Sequence, residues 1–239
     1  MRKGYLGIGL VVLGIAAFIS GCAWTTQTGD VQQTAETIEL QDAESVEVNL
    51  RMGAGELTVD SGSEALADAD FTFNVAEWEP MIDYVVGGEE GELWIEQPEV
   101  KNLGLESYRY AWDLRFNETV PMQMDIALGA GPSRIDVSDL SVTRLDLRMG
   151  AGETRLDLSG AREEDLAVTL RGGVGLATVI LPADIGVRAE IRGGLGAIDT
   201  EGLTKDGDAY VNEAYGASDV TVTLDVEAGV GEIKLQVAE

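Results

Sequence analysis

The segment Leu-Arg-Met-Gly-Ala-Gly at 147–152 is identical to the segment at 50–55. Four looser copies keep the two glycines with one residue between them: Ile-Ala-Leu-Gly-Ala-Gly (126–131), Leu-Arg-Gly-Gly-Val-Gly (170–175), Ile-Arg-Gly-Gly-Leu-Gly (191–196) and Val-Glu-Ala-Gly-Val-Gly (226–231). From Gly129 onward, the first glycines of these pairs are 21, 23, 21 and 35 residues apart. Repeats of this length are typical of stacked architectures, and about 22 residues make one coil of a β-solenoid.

Apolar side chains alternate with polar residues or glycine around each copy. At 145–152 every second residue is apolar, and the same register recurs at 168–174, 189–195 and 224–230. Period two over eight residues predicts a strand with one buried face. Helical spacing is scarce. The sequence therefore predicts an all-β fold, specifically a parallel right-handed β-solenoid (β-helix) with coils of about 22 residues.

Stacked coils place equivalent residues above one another. We expect one inward column to contain Leu147, Leu170, Ile191 and Val226. The residue between the paired glycines is Ala, Val or Leu, which suits a narrow core. We expect the last segment, 232–239, to be a strand with an exposed edge whose charged residues discourage pairing with another molecule.

The paired glycines require a physical reason, because glycine in a strand costs roughly 0.5–1 kcal/mol relative to alanine. A corner in the chain, or close stacking on the next coil, would exclude a Cβ atom. We interpret these glycines as structural: Gly53, Gly55, Gly129, Gly131, Gly150, Gly152, Gly173, Gly175, Gly194, Gly196, Gly229 and Gly231. Phosphate binding is not favoured, because no Lys-Ser/Thr follows any pair and no helix is predicted there.

The N-terminus has the layout of a secretory signal. A basic start precedes a charge-free apolar run at 4–18, which is too short to predict a membrane span. The run leads into Ile-Ser-Gly-Cys at 19–22, which resembles the bacterial lipobox, where cleavage precedes a lipid-modified cysteine. We expect residues 1–21 to be removed and lipid on Cys22 to anchor the chain outside the cytoplasm, on the cell membrane or the outer membrane. An ordinary signal peptide or an uncleaved anchor is the alternative.

Composition limits the chemistry and the partners. The chain has 43 acidic and 16 basic residues, a formal net charge of −27, one cysteine and no histidine. Such a surface repels nucleic acid. The absence of histidine removes the commonest general base and metal ligand. We expect no cofactor and no specific metal site, because Ala177 and Ile198 occupy the positions where calcium-binding repeats need Asp. Weak, nonspecific Ca²⁺ binding to the acidic loop 163–165 is the alternative.

The mature chain divides into three regions. Residues 22–43 are mostly polar and predict a flexible tether. Residues 44–125 predict a less regular N-terminal β domain that contains most of the aromatic residues. Residues 126–239 carry the regular solenoid repeats. The transition is a change of composition and not a linker, so we expect one continuous core.

Several segments together resemble the bacterial toast-rack family, which is related to the C-terminal domains of LiaF-like envelope stress proteins and to proteins classed as adhesins. They are the lipobox, the opening Leu-Arg-Met-Gly-Ala-Gly-Glu, and segments 74–80, 112–117, 181–187 and 214–218. The resemblance implies a β-solenoid at the cell envelope and supplies no catalytic residues. The transmembrane bundle of LiaF-like proteins has no counterpart in this sequence.

We therefore predict a non-enzymatic binding or scaffold module, whose partner is an envelope protein or a cell-wall glycan. An envelope glycan-binding adhesin is the alternative, and a polysaccharide-acting solenoid enzyme is less favoured, since the abundant Asp residues alternate with inward apolar residues. Glycan binding would use Trp78, Trp94 and Trp112 as stacking platforms. Alternatively, these three tryptophans fill the core of the N-terminal region.

The repeat also generates a column of arginines. Arg148, Arg171 and Arg192 each precede the first glycine of a pair by two residues. We expect consecutive coils to place them about 5 Å apart. Asp146 and Glu190 then neutralise them as a surface ladder. The alternative is a basic binding stripe for an anionic envelope polymer or a partner's carboxylates.

Overall fold

The computed structural model describes residues 29–99 and 108–238. It is all-β, as predicted, with one short 3₁₀ helix at Ala76–Trp78. The strands of the N-terminal part are β1 (Gln32–Ile38), β2 (Ser45–Ala54), β3 (Glu56–Ser61), β4 (Ala67–Phe73), β5 (Met81–Gly87), β6 (Glu90–Glu96) and β7 (Tyr110–Phe116).

Longer strands dominate the second part of the chain. They are β8 (Met122–Ala130), β9 (Ser133–Asp136), β10 (Val142–Asp157), β11 (Leu166–Arg171), β12 (Val174–Leu181), β13 (Gly186–Glu201), β14 (Thr204–Asp206), β15 (Ala209–Val211) and β16 (Thr221–Val237). β10, β13 and β16 each run through a glycine pair without interruption, so one strand contributes to both sides of the corner.

Equivalent repeat segments pair in parallel. Before the glycines, the hydrogen-bonded order is β6, β2, β8, β10, β11, β16 and β13. After the glycines, the order is β7, β3, β9, β10, β12, β16 and β13. Antiparallel strands close the ends: β5 adjoins β6, β4 and β1 continue beyond β7, and the β14–β15 pair adjoins β13.

The predicted inward column is confirmed. Leu147, Leu170, Val226 and Ile191 occupy one register position on four neighbouring strands. The first three are buried, and Ile191 packs partly buried against the same core. Burying such a side chain stabilises the fold by roughly 1.5–3 kcal/mol.

The order of the strands differs from the order of the chain. The last strand, β16, lies between β11/β12 and β13, so β16 is an interior strand. The prediction that the segment 232–239 forms an exposed edge is therefore wrong for the residues of β16. The longer spacing before the last glycine pair, 35 residues, supplies the chain that passes outside β13 and returns.

The glycine pairs lie where neighbouring backbones approach most closely. A Cβ atom on Gly150 would lie 2.6 Å from the carbonyl carbon of Gly129 on the next strand. The second glycine of the same pair, Gly152, has φ of +150°, which side chains rarely adopt. The corner thus excludes a side chain at one glycine by contact and at the other by backbone conformation.

Both halves of the chain contribute to one hydrophobic core, as expected from the absence of a linker. The boundary placed between 125 and 126 falls inside β8, which pairs with β2 on one side and β10 on the other. Residues 32–38, which we expected within the tether, form β1 and pair with β4. Cys22 and the signal segment lie outside the described residues.

Candidate functional site

The arginine column lies on the outer surface, in the register directly before the glycine corner. Across the sheet, this register position is occupied by Arg51, Ala127, Arg148, Arg171, Glu227 and Arg192. Arg148 and Arg171 are neighbours, as predicted. The prediction that Arg192 directly follows Arg171 is wrong, because β16 places Glu227 between them.

Arg148 is held by a carboxylate of the preceding strand. Its two terminal nitrogens donate to the two oxygens of Asp125 at 2.6 and 3.1 Å. Arg51 reaches the same carboxylate at 2.7 Å. The expected partner, Asp146, instead accepts from Arg144 at 2.7 Å. Burial raises the pKa of Asp146, but hydrogen bonds from Arg144 and Thr169, together with the positive charges of Arg144 and Arg171, outweigh it and leave this pKa below its usual value.

The other two arginines are neutralised at the C-terminal end of the stack. Arg171 lies 3.5 Å from the Glu227 carboxylate. Arg192 donates to Asp225 at 2.5 Å and lies 3.7 Å from Glu190, the partner expected from the sequence. The hydrogen bond from Arg192 to Asp225 raises the pKa of Arg192. Since these side chains are substantially exposed, solvent screens the pairs and each contributes little to stability.

The three tryptophans have different surroundings. Trp78 and Trp112 are buried, and both contact Tyr110 in an aromatic cluster. Trp94 is half-buried on β6. The guanidinium of Arg51 lies over its ring, 5.2 Å from the centroid, and its indole nitrogen donates to Glu92 at 2.7 Å. A flat stacking platform of three indoles is therefore not formed, and two of the three residues serve the core.

Apolar side chains between the paired glycines point into solvent at the C-terminal end. Val174, Val230 and Leu195 occupy one register position on β12, β16 and β13. They are 60, 51 and 77% exposed. The prediction that this position lines a narrow core is wrong, because the corner breaks the alternation and turns the residue between the glycines outward. This exposed surface was not predicted from the sequence, although the residue between the glycines changes from Ala in the early copies to Val and Leu in the later ones.

The concave regions of the molecule differ in size and lining. The open apolar depression at the glycine corners, lined in part by Val174, Leu195 and Val230, has a volume of about 60 Å³, whereas ligand sites usually enclose about 300–1,000 Å³. Two polar surface clefts of about 440 and 380 Å³ flank β5 and are lined by several glutamates. Within 29–99 and 108–238, no group of three or more acidic, Cys or His residues is arranged to hold a metal ion.

No helix in the described part of the chain is both long and apolar enough to cross a bilayer. Parallel repeats with glycine corners, a surface of ion pairs and an exposed apolar row define a repeat-built β protein. The chain belongs to the toast-rack family: the model for the N-terminal domain of toast_rack, DUF2154, matches residues 27–180.

A solved structure of a "putative cell adhesion protein" from Clostridium sporogenes is similar over 87% of this chain and 100% of that chain, at 34% identity and a TM-score of 0.84. A "putative adhesin" from Bacteroides fragilis matches 86% of this chain and 97% of that chain, at 11% identity and a TM-score of 0.36. No curated protein matches the chain.

Proposed function

We propose that this protein is a lipid-anchored, non-catalytic binding or scaffold module of the cell envelope. The observation that carries the proposal is the similarity to the Clostridium sporogenes protein, which extends over that whole chain at 34% identity. That protein is described as a putative cell adhesion protein, which supports a binding role on the cell exterior.

Anchoring in this proposal depends on Cys22. Residues 1–21 direct export and are removed, and lipid on Cys22 then holds the body on the extracytoplasmic side. A single acyl chain binds a membrane only marginally, so stable anchoring requires two or more. The residues between Cys22 and β1 give the body its distance from the bilayer.

The repeats, in the same proposal, form a right-handed parallel β-solenoid with coils of about 22 residues. The parallel pairing of β8, β10, β11, β16 and β13 supports it. Such a scaffold presents side chains in fixed rows on its outer surface, which suits recognition of an extended partner.

An envelope protein is favoured as the partner over a glycan. Glycan recognition was predicted to use three tryptophans, and two of them are buried in the core. The arginine column is paired with carboxylates of the same molecule, so a partner's anions would have to displace Asp125, Glu227 and Asp225.

Metabolic labelling of the producing cell with a fatty-acid analogue tests the anchor. The wild-type chain should carry the label and sediment with membranes, whereas Cys22→Ala should lose both properties. Cross-linking in intact cells, followed by identification of the attached molecules, tests the binding role. Absence of label on the wild-type chain would refute the anchor, and absence of any envelope cross-link would refute the module.

A further inference from the structure

One strand edge at the C-terminal end of the stack has no neighbouring strand over much of its length. β13 pairs with β16 along its whole length up to Glu201. On its other side, β15 covers only Arg188–Glu190. Within the described ranges no strand pairs with the outer edge at 193–201, which we call the open edge. Unpaired N–H and C=O groups of this kind are a template for another extended chain.

The open edge lies beside the exposed apolar row. Leu195 belongs to the edge itself, and Val230 and Val174 follow it on the next two strands. Ile198, also on the edge, is 46% exposed. Contiguous exposed aliphatic side chains are uncommon on soluble monomers and mark interaction surfaces.

The opposite end of the stack is better protected. On the edge strand β5, Met81 and Val85 are also exposed, but Asp83 lies between them on the same face. Their partners on β6 are Glu96 and Glu92. Charged residues within and beside an edge strand discourage pairing. The β5 edge therefore provides a matched control.

Charge selects the kind of partner. Beside the open edge, Lys234 is paired with Glu201 at 3.4 Å, and Arg192 is paired with Asp225. Asp199 on β13 is the register partner of Lys234, but the Lys234 ammonium reaches Glu201 instead; among the described residues neither Asp199 nor Glu232 on β16 forms an ion pair within 4 Å. The whole chain has a formal net charge of −27. A second copy would bring the same negative charge to this edge, whereas a basic segment would be attracted.

We propose that the open edge binds an extended segment of a partner protein in which basic residues alternate with apolar residues, added to β13 as a further strand. This inference rests on the proposed binding role and names its surface. Backbone hydrogen bonds would supply affinity, Leu195 and Ile198 on the edge would contact the apolar side chains of the segment, and the nearby acids would select its charge.

A short peptide of alternating lysine and valine serves as the probe, with the lipidated full chain in neutral detergent micelles. Fluorescence anisotropy measures its affinity, and hydrogen exchange measures the protection of individual backbone amides. We expect the peptide to bind and to slow exchange at 193–201 by about tenfold or more. The same peptide with a central proline, which cannot pair as a strand, should bind about tenfold more weakly.

Two variants locate the site. Leu195→Ser with Ile198→Ser should weaken peptide binding about tenfold, whereas Met81→Ser with Val85→Ser on β5 should leave it unchanged. All four side chains are exposed, so both variants should fold, which circular dichroism checks.

Equal weakening by the two variants, binding without protection at 193–201, or no binding would overturn the proposal. Concentration-dependent protection of the edge without peptide would overturn it too, because a second copy would then be the occupant. Fatty-acid labelling and membrane association should be the same in all variants. Loss of peptide binding at the open edge can therefore be distinguished from an error in the proposed lipid-anchored function.

Discussion

Gly150→Ala tests whether the repeated corner excludes a side chain. The new Cβ atom would lie 2.6 Å from the carbonyl carbon and 2.9 Å from the Cα of Gly129, and closer still to its carbonyl oxygen. These are backbone atoms of the neighbouring strand, so no change of rotamer relieves the overlap. Ordinary contacts between carbon atoms are about 3.5–4.0 Å. The two strands would therefore have to separate by roughly 1 Å at the corner.

Separation weakens the backbone hydrogen bonds of the corner, among them the 2.9 Å bond from the Gly131 N–H to the Ala151 carbonyl. Losing about three such bonds, each contributing about 1 kcal/mol net, lowers the free energy of unfolding by about 3 kcal/mol. For a domain of this size, the melting temperature should fall by about 6–12 °C. Thermal unfolding followed by circular dichroism measures it.

Gly87→Ala is the matched control. No atom lies within 4 Å of a Cβ built on Gly87, and its φ is outside the left-handed region. Alanine there should keep or slightly raise the melting temperature, because it lowers the entropy of the unfolded chain. If Gly150→Ala melts within about 1 °C of the wild type, the argument from close backbone approach is refuted.

Three further predictions concern buried amides, pH and the arginine column. Asn212→Ala should lower the free energy of unfolding by about 2–3 kcal/mol in urea titration, because its amide donates to the carbonyls of 182, 183 and 185; a change below about 0.5 kcal/mol would contradict this. The pKa of Asp146 in the folded chain lies below its ordinary value of 3.8. Its ionised carboxylate therefore stabilises the folded chain above pH 3.8, and this stabilisation is lost as the pH falls through the folded pKa. Asp146→Asn should therefore flatten the acid side of the stability curve, and an unchanged curve would contradict this. Combined Gln substitutions at Arg148, Arg171 and Arg192 should lower the melting temperature and leave envelope cross-linking per folded molecule unchanged; a salt-sensitive loss of cross-linking would instead support a binding stripe.

The periodicity of the sequence was sufficient to predict the strand class and the buried face. Alternation around Leu147 and its equivalents identified the inward column, because only one face of each strand can be buried. The order of the strands could not be predicted in the same way. Val226 and Ile191 have the same register and similar side chains, so either strand fits beside Leu170. The position of β16 depends on the path of residues 202–220, which has no repeat signal.

The surface was predicted less well than the core. Leu195 satisfies the alternating pattern, yet the corner turns it into solvent, and a pattern of residue types contains no information on the local direction of the backbone. Asp125, the carboxylate shared by Arg51 and Arg148, was missed because it belongs to the neighbouring repeat. Diagonal pairs of this kind depend on which strands are adjacent, which the sequence leaves open.

The interior position of β16 has a consequence for the order of folding. Until residues 221–237 have emerged, β11 and β12 lack one neighbour, and the inner edge of β13 has none. The first repeats pair with strands that lie early in the chain, but the C-terminal repeats must wait for β16 to be inserted. A product cut short before β16 would leave β13 attached to the body only through the chain itself. The C-terminal part of the core thus depends on residues 221–237, so chains truncated before β16 should be more susceptible to proteolysis.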